Sequence, residues 1–440
     1  MKLRGLLAAV VILAALGGAL YWSNRKQKAE AAKPATDASA KILTIPEDQI
    51  QQIKIKKTGA ETIVLRKGGD GKWQLLEPKP MRADQDTANS LATAISSLSS
   101  DKLVEDKATD LSPYGLNAPS LDITVLKKDG KSQEVYVGDE APTGGGSYAK
   151  LPADAHVYTI ASYTKTSLDK SPNDLRDKRL LTFDQDKLTR VDLKPANGEL
   201  IEFGKNNQND WQILKPKPLR ADGSQVEELI RKLKDAKMDA TISDEDARKA
   251  AAAFASGAKV ATATVADAGA PQQIEIRKDK DKNYYAKSSA VDGVYKVTAD
   301  LGDGLDKKVD DFRNKKLFDF GWTDPNKVQI GASVFDKSGD KWMSGAKQMD
   351  SSSVQNVVDK LRDLTSTKFL DSGGGAPVLE LMVSSNNGKR VEKVSIARQG
   401  DAYFAKRENE PSIYQVDGKA VEELRKAAND VKPFQPPKKK

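Results

Sequence analysis

"WQLLEPKPMRAD" runs from Trp73 to Asp84, and "WQILKPKPLRAD" runs from Trp211 to Asp222. Nine of the twelve positions are identical at an offset of 138 residues, so the chain contains an internal repeat that decides how the rest is divided. Counting from each Asp, apolar residues fall at +4, +7, +8, +11 and +14. These are Ala88, Leu91, Ala92, Ile95 and Leu98 in one copy, and Val226, Leu229, Ile230, Leu233 and Ala236 in the other. The same offsets from Asp350 give Val354, Val357, Val358, Leu361 and Leu364, with Trp342 shortly upstream. This spacing predicts a helix with one buried stripe, capped by an Asp carboxylate that accepts from the first free backbone N–H groups. There are therefore three copies.

Other markers agree. "YAK" at 148–150, "YAK" at 285–287 and "FAK" at 404–406 are each followed, eight residues after the Lys, by Tyr158, Tyr295 and Tyr414. Those tyrosines lie in "VYTI", "VYKV" and "IYQV", alternating runs that read as strands. "DLRDKRL" from Asp174 and "DFRNKKL" from Asp311 close the first two copies. The chain is accordingly cut into units at 41–178, 179–315 and 316–434, with a disordered basic tail at 435–440.

Within a unit the order reads three strands, a helix, a cluster of further strands and a terminal helix. In the first copy the strands are expected near 50–56, 62–66, 72–76, 121–127, 133–137, 148–151 and 156–160. The linkers are mostly too short for crossover helices, which makes the sheets largely antiparallel. The expected class is α+β: three tandem homologous units of mainly antiparallel sheet with helices, behind one N-terminal transmembrane helix. Whether each unit holds one sheet or two stays open at this point.

That transmembrane helix is read from residues 5–22, "GLLAAVVILAALGGALYW", eighteen residues without a charge. As a helix the run is about 27 Å long, close to the roughly 30 Å hydrocarbon core. Tyr21 and Trp22 would sit in the interfacial belt, followed by Arg25, Lys26 and Lys28. The rival is a cleaved secretory signal, with Gly17 and Ala19 as a small-x-small site; the length of the run favours an uncleaved anchor. Residues 23–40, rich in Ala and Lys, read as a flexible tether. The expected location is the inner (cytoplasmic) membrane, single-pass, with the body on the extracytoplasmic, periplasmic side.

Composition narrows the chemistry. Of 440 residues, 38% are hydrophobic and 30% charged, which describes a folded body rather than a disordered chain. There is no cysteine, which excludes disulfides, thiolate metal sites, a cysteine nucleophile and a lipidated N-terminal cysteine. The net charge of +8 belongs to the two ends: residues 1–33 carry +5 and residues 432–440 carry +4, leaving −1 between them. A body without a concentrated basic face is not expected to bind nucleic acid.

No catalytic, metal-binding or cofactor-binding set emerges. His156 is the only histidine, in "DAHVYTI", and reads as an ordinary strand residue. "SYTK" at 162–165 and "SLDK" at 167–170 match Ser-x-x-Lys, but the "KTG" at 57–59 precedes them and no Ser-Asp-Asn follows. "TGGGS" and "SGGGA" lack the Gly-Lys-Ser/Thr of a phosphate loop and read as hairpins or linkers, and "SDED" from Ser243 reads as a helix start. The repeated stretch itself is read chiefly as scaffold, with Trp73 and Trp211 as core anchors and Pro-Lys-Pro as an extended connector into the helix. Its second reading is a basic loop for an acidic partner, carried by Lys79, Arg82, Lys217 and Arg220. The third copy, "WMSGAKQMD", keeps only the Trp and the Asp.

The anchor, "YGLNAP" from Tyr114, "VYVGD" from Val135 and "DLRDKRL" together resemble the bacterial domain-of-unknown-function family numbered 4340. The match is clearest in the first copy; the second has "FASGAK" from Phe254, and the third keeps only Ala376-Pro377. The resemblance implies a membrane-anchored extracytoplasmic protein considered alongside ABC-type export or gliding-motility transport components. It carries over no catalytic residue. The expected function is thus a non-enzymatic, membrane-tethered accessory protein with a protein partner in an envelope assembly, its small-molecule ligand unknown. The alternative is a cell-wall or envelope-polysaccharide binding module, or a hydrolase, with a cleft between units.

Overall fold

The alternation of "IQQIKIKK" becomes one-sided burial: Ile53 and Ile55 are inaccessible to solvent, whereas the lysines between and beyond them are not. The computed structural model describes residues 41–142, 145–239, 244–323 and 325–436. Its first sheet is built from β1 (Ile50–Lys57), β2 (Ile63–Lys67), β3 (Trp73–Glu77), β4 (Met81–Arg82), helix α1 (Gln85–Ser96), β5 (Lys102–Glu105), β6 (Leu121–Lys127), β7 (Ser132–Glu140), β8 (Gly146–Lys150) and β9 (Val157–Ala161). Short helices α2 (Ser162–Leu168) and α3 (Pro172–Leu175) follow. The strand order is β4-β3-β2-β1-β6-β7-β8-β9-β5, antiparallel throughout. Two meanders meet at the β1–β6 pair, where buried Ile53 and Ile55 lie opposite buried Val125 and Ile123.

The second sheet repeats this plan with β10 (Arg190–Pro195), β11 (Ile201–Lys205), β12 (Trp211–Lys215), β13 (Leu219–Arg220), helices α4 (Gly223–Lys234) and α5 (Asp244–Ser256), then β14 (Ala258–Ala266), β15 (Gln272–Lys278), β16 (Tyr284–Ser288), β17 (Val294–Val297) and helix α6 (Ala299–Leu305). The third has β18 (Lys327–Ile330), β19 (Ser333–Ser338), β20 (Lys341–Ser344), β21 (Lys347–Gln348), helix α7 (Ser351–Asp363), β22 (Ser366–Leu370), β23 (Pro377–Ser385), β24 (Arg390–Gln399), β25 (Ala402–Arg407), β26 (Ile413–Val416) and helix α8 (Gly418–Asn429). The third order, β21-β20-β19-β18-β23-β24-β25-β26-β22, repeats the first, and the second, β13-β12-β11-β10-β14-β15-β16-β17, repeats it without a counterpart of the β5 edge among the described residues. The open point is thereby answered: each copy is one sheet. The described residues thus comprise three antiparallel sheets and eight α-helices, an arrangement consistent with tandem units.

Asp84, Asp222 and Asp350 each accept from N–H groups in the first turn of the helix that follows, at 2.8 Å from Thr87, 3.0 Å from Ser224 and 2.8 Å from Ser353. The stripes that sequence spacing marks on α1, α4 and α7 are the buried faces. Each sheet with its helices encloses its own core. The described residues form two compact units, one of 41–178 together with Asp244, and a larger one, of 179–239 and 245–436, that contains both the second and the third sheet.

Three expectations change. Pro-Lys-Pro is not an extended connector into the helix. It turns the chain back, so that Met81–Arg82 and Leu219–Arg220 pair antiparallel with the strands they follow, and the Glu77–Pro78 and Lys215–Pro216 bonds are cis. The third copy makes the same hairpin with Gly345 at φ 57°, which is why it needs no proline there. Secondly, β5 and β22 form sheet edges that the periodicity did not mark, being short and half exposed. Thirdly, His156 lies just before β9 rather than inside it. The expected membrane helix at 5–22, the tether at 23–40 and residues 437–440 of the tail lie outside the described residues. Among the described residues no helix is long and apolar enough to cross a membrane.

Candidate functional site

The repeated tryptophans anchor cores. Trp73, Trp211 and Trp342 are 2%, 6% and 5% exposed, and all three occupy the third strand of their copy. Each stands opposite a lysine of the neighbouring strand, and the ammonium groups of Lys67, Lys205 and Lys337 lie 4.9, 5.0 and 5.9 Å from the ring centroids. In the first two copies the indole N–H is also satisfied, donating to Asn89 Oδ1 at 2.9 Å and to the equivalent Glu227 Oε1 at 2.6 Å.

The basic residues of that stretch have unequal surroundings. Lys79 is exposed. Lys217 is exposed and pairs with Asp371 at 2.8 Å. Arg82 is half-buried, with Nε 3.9 Å from the buried Asp177, whose backbone N–H also donates to the Arg82 carbonyl. Arg220 is drawn inward. Its Nη1 donates to Asp319 Oδ1 and Oδ2 at 2.8 and 2.6 Å, its Nη2 to the Lys316 carbonyl at 2.6 Å, and its Nε lies 2.9 Å from Glu410 Oε1. Burial works against this charge, but Asp319, Tyr414 and Glu410 outweigh it and raise the guanidinium pKa above its ordinary value. The Tyr414 hydroxyl is raised as well, chiefly by burial.

This is the centre of a network joining the second sheet to the third. Arg407 Nε donates to Glu410 at 2.7 Å, its Nη2 lies 3.3 Å from Asp319 and 3.2 Å from Glu392, and its Nη1 bonds the Leu317 carbonyl. The Asp319 backbone N–H donates to Glu392 Oε1 at 2.8 Å, and Asn314 Nδ2 to Asp319 Oδ1 at 2.7 Å. At the equivalent places in the second copy the residues are neutral: Thr182 stands for Asp319 and Gln272 for Glu392, with the same backbone-to-side-chain bond at 2.8 Å. The acidic acceptor set is thus a property of the third copy. Sequence comparison of "RLLT" (179–182) with "KLFD" (316–319) carried this signal, but a Thr-to-Asp change between strands is not conspicuous without the partner arginine in view.

Beside the network is a cleft of about 580 Å³, lined by the 206–210 hairpin, Gln212, Arg220 and Glu227 from the second copy, and by Asn314, Asp319, Arg390 and Arg407. A second surface feature was also missed in sequence. Trp322 is 87% exposed on a turn closed by the Thr323 N–H and the Phe320 carbonyl. It lies over the buried guanidinium of Arg362, 4.8 Å from its ring centroid, with Phe320 at 5.3 Å. Arg362 is itself fixed to the Gly321 carbonyl at 2.6 Å and to Asp359. The signal available was a tryptophan in "FGWTDP" with no counterpart in the other copies.

In the first unit the motifs of the resemblance pack on one another. Gly138 of "VYVGD" lies so close to "YGLNAP" that a Cβ there would meet the Tyr114 carbonyl at 2.1 Å, and Gly115, at φ 64°, sits against the Asp139 carboxylate. Tyr114 also donates to Glu105 on β5. Nearby, His156 Nδ1 bonds Asp154, its Nε2 is 2.9 Å from Asp106, and the Asp154 contact chiefly raises the imidazole pKa. The Ser-x-x-Lys matches fall on and just after α2; there Thr166 and Ser167 hydroxyls donate to carbonyls four residues back, as ordinary helix residues do. Among the described residues no group of three or more His, Asp or Glu side chains is arranged to hold a metal ion.

Comparison with known proteins adds a family. The pattern described as Domain of unknown function (DUF4340) matches residues 73–254 and 211–381, two overlapping regions that begin at the equivalent tryptophans Trp73 and Trp211. No curated protein and no solved structure matches the chain. The matched regions together cover more than half of its length, and the chain belongs to the DUF4340 family.

Proposed function

We propose that this chain is a non-enzymatic interaction protein, tethered to the bacterial inner membrane by residues 5–22, that docks its extracytoplasmic body onto a protein of an envelope assembly such as an export transporter. The observation that supports this reading best is Trp322. An indole left 87% exposed is a poor arrangement for an isolated surface, and here its ring lies against the Arg362 guanidinium, 4.8 Å from the ring centroid, and that guanidinium is itself bonded to the Gly321 carbonyl. Rigid exposed tryptophans serve as interface anchors because burying them on a partner removes a large apolar area from water at little cost in side-chain entropy. Tethering raises the effective concentration at the partner, so one such anchor with a modest rim is sufficient.

The test is photocrosslinking of the full-length protein in its native membrane, with the reactive group at position 322. A discrete crosslink to one membrane protein, weakened by Arg362→Ala, is expected. No discrete product, or a partner captured equally well from the 87% exposed position after Arg362→Ala, would count against the docking role.

A further inference from the structure

We infer that the cleft between the second and third sheets binds a neutral, hydroxyl-rich oligosaccharide. Its volume of about 580 Å³ lies within the roughly 300–1,000 Å³ of small-ligand sites. The charged side chains lining it balance, with Arg220, Arg390 and Arg407 against Asp210, Glu227 and Asp319. Part of that charge is matched inside the protein, Arg220 and Arg407 on Asp319 and Glu410, while Glu227 accepts a hydrogen bond from the neutral Trp211 indole. The charges left to a ligand are of both signs, Arg390 on one side and Asp210 and Glu227 on the other, so an anion that reached Arg390 would also face two carboxylates.

The amides are different. The side chains of Gln208, Asn209 and Gln212 line the cleft and make no hydrogen bond to any described residue, and each offers two N–H donors and a carbonyl acceptor. Two of them are carried by a shaped hairpin rather than a loose loop. Asn206 Oδ1 accepts from the Gln208 and Asp210 backbone N–H groups at 2.9 Å each, and Asn209 is held at φ 66°. Gln212 is fixed on β12 in register with Arg220. Across the cleft, Arg390 reaches Glu392 and Asp319 only at 3.4 and 3.7 Å, so its planar donors retain capacity.

Amides that combine donors and acceptors, carried on a backbone held in shape, suit vicinal hydroxyls, which are donors and acceptors themselves. Trp211 and Ala221 are the apolar lining residues, and Trp211 is turned into the core, so peptide side chains or acyl chains find no apolar pocket here. The inference is independent of Trp322, which does not line the cleft.

The experiment is calorimetric titration of the purified full-length protein with two probes of equal length, chitotetraose as the neutral oligosaccharide and tetragalacturonate as the anionic one. Saturable binding of chitotetraose is expected, at least tenfold stronger than that of tetragalacturonate. Asn209→Gly keeps the left-handed backbone while removing the amide, and Gln212→Ala removes the strand amide; each should weaken binding about tenfold, the loss expected from one or two hydrogen bonds. Lys79→Ala, in the first unit, should leave it unchanged. Absence of chitotetraose binding, a preference for the anionic probe, or full affinity in both amide variants would overturn the inference.

Discussion

Arg220 and Asp319 are 99 residues apart in sequence, yet one guanidinium nitrogen of the first touches both carboxylate oxygens of the second, at 2.8 and 2.6 Å. The contact crosses from the second sheet to the start of the third, and the two side chains are only 14% and 18% exposed. Removing one partner would strand a buried charge among Arg407, Glu392 and Glu410. Arg220→Ala is therefore expected to destabilise the unit from 179 onward by about 3–5 kcal/mol in chemical denaturation, and Arg220→Lys to rescue it only partly because a lysine cannot keep the fork of contacts. A loss under about 1 kcal/mol would show that the network does not hold the sheets together.

The three core tryptophans give a stability series. Trp73→Ala, Trp211→Ala and Trp342→Ala should each cost about 3–5 kcal/mol, measured by urea or thermal unfolding. Trp211→Phe should cost less, and its remaining deficit should include the stranded Glu227 carboxylate that now accepts from the indole. Near-wild-type melting of Trp211→Ala would place that residue outside the core.

Gly138 tests whether the two family motifs support each other. A Cβ there would meet the Tyr114 carbonyl at 2.1 Å, a backbone atom that cannot swing aside. Gly138→Ala should destabilise the first unit by about 1–3 kcal/mol, whereas Gly59→Ala, which meets no neighbour and suffers only from its positive φ, should cost less. Equal melting temperatures for the two variants would contradict the packing described.

His156 supplies a pH dependence. Its folded pKa is raised, chiefly by the Asp154 contact and further by Asp106, so the folded state holds this proton more tightly than the unfolded chain does. The stabilisation is then complete below the unfolded value of about 6.5 and is lost as pH rises through the folded pKa. Asp154 acts at the acid end: burial pushes its pKa up, His156 more than offsets this, and the net lowering means its share is lost as pH falls through its own folded pKa. NMR titration of the lone imidazole should show the elevated midpoint, and His156→Ala should flatten the alkaline limb of the stability profile. An imidazole midpoint at or below the ordinary value would remove the basis for this reading.

Much of the architecture was legible in the chain because it is set by local periodicity. The +4, +7, +8, +11, +14 stripe, the capping Asp and the alternating strands are short-range patterns, and the strands expected near 50–56, 72–76 and 121–127 are found at Ile50–Lys57, Trp73–Glu77 and Leu121–Lys127. The offset of 138 between the two Trp-to-Asp stretches, together with the same stripe after Asp350, was enough to count three copies and to place each tryptophan in a core. Local pattern also explains the error over Pro-Lys-Pro: each two-residue strand that follows is too short to show alternation, and exists only because a neighbouring strand supplies its hydrogen bonds.

What tertiary structure alone decided is the fate of side chains whose partners are remote. Arg82 and Arg220 occupy nearly identical sequence contexts, but the first faces Asp177 of its own copy, while Asn314 replaces that aspartate in the second and Asp319 arrives from the start of the third copy. The exposure of Trp322 and the cleft beside Arg220 likewise arise where separate segments converge. Strand and helix formation depends on the nearest few residues and so can be read along the chain, whereas charge pairing and cavity lining depend on distance in space, which the order of residues does not encode directly.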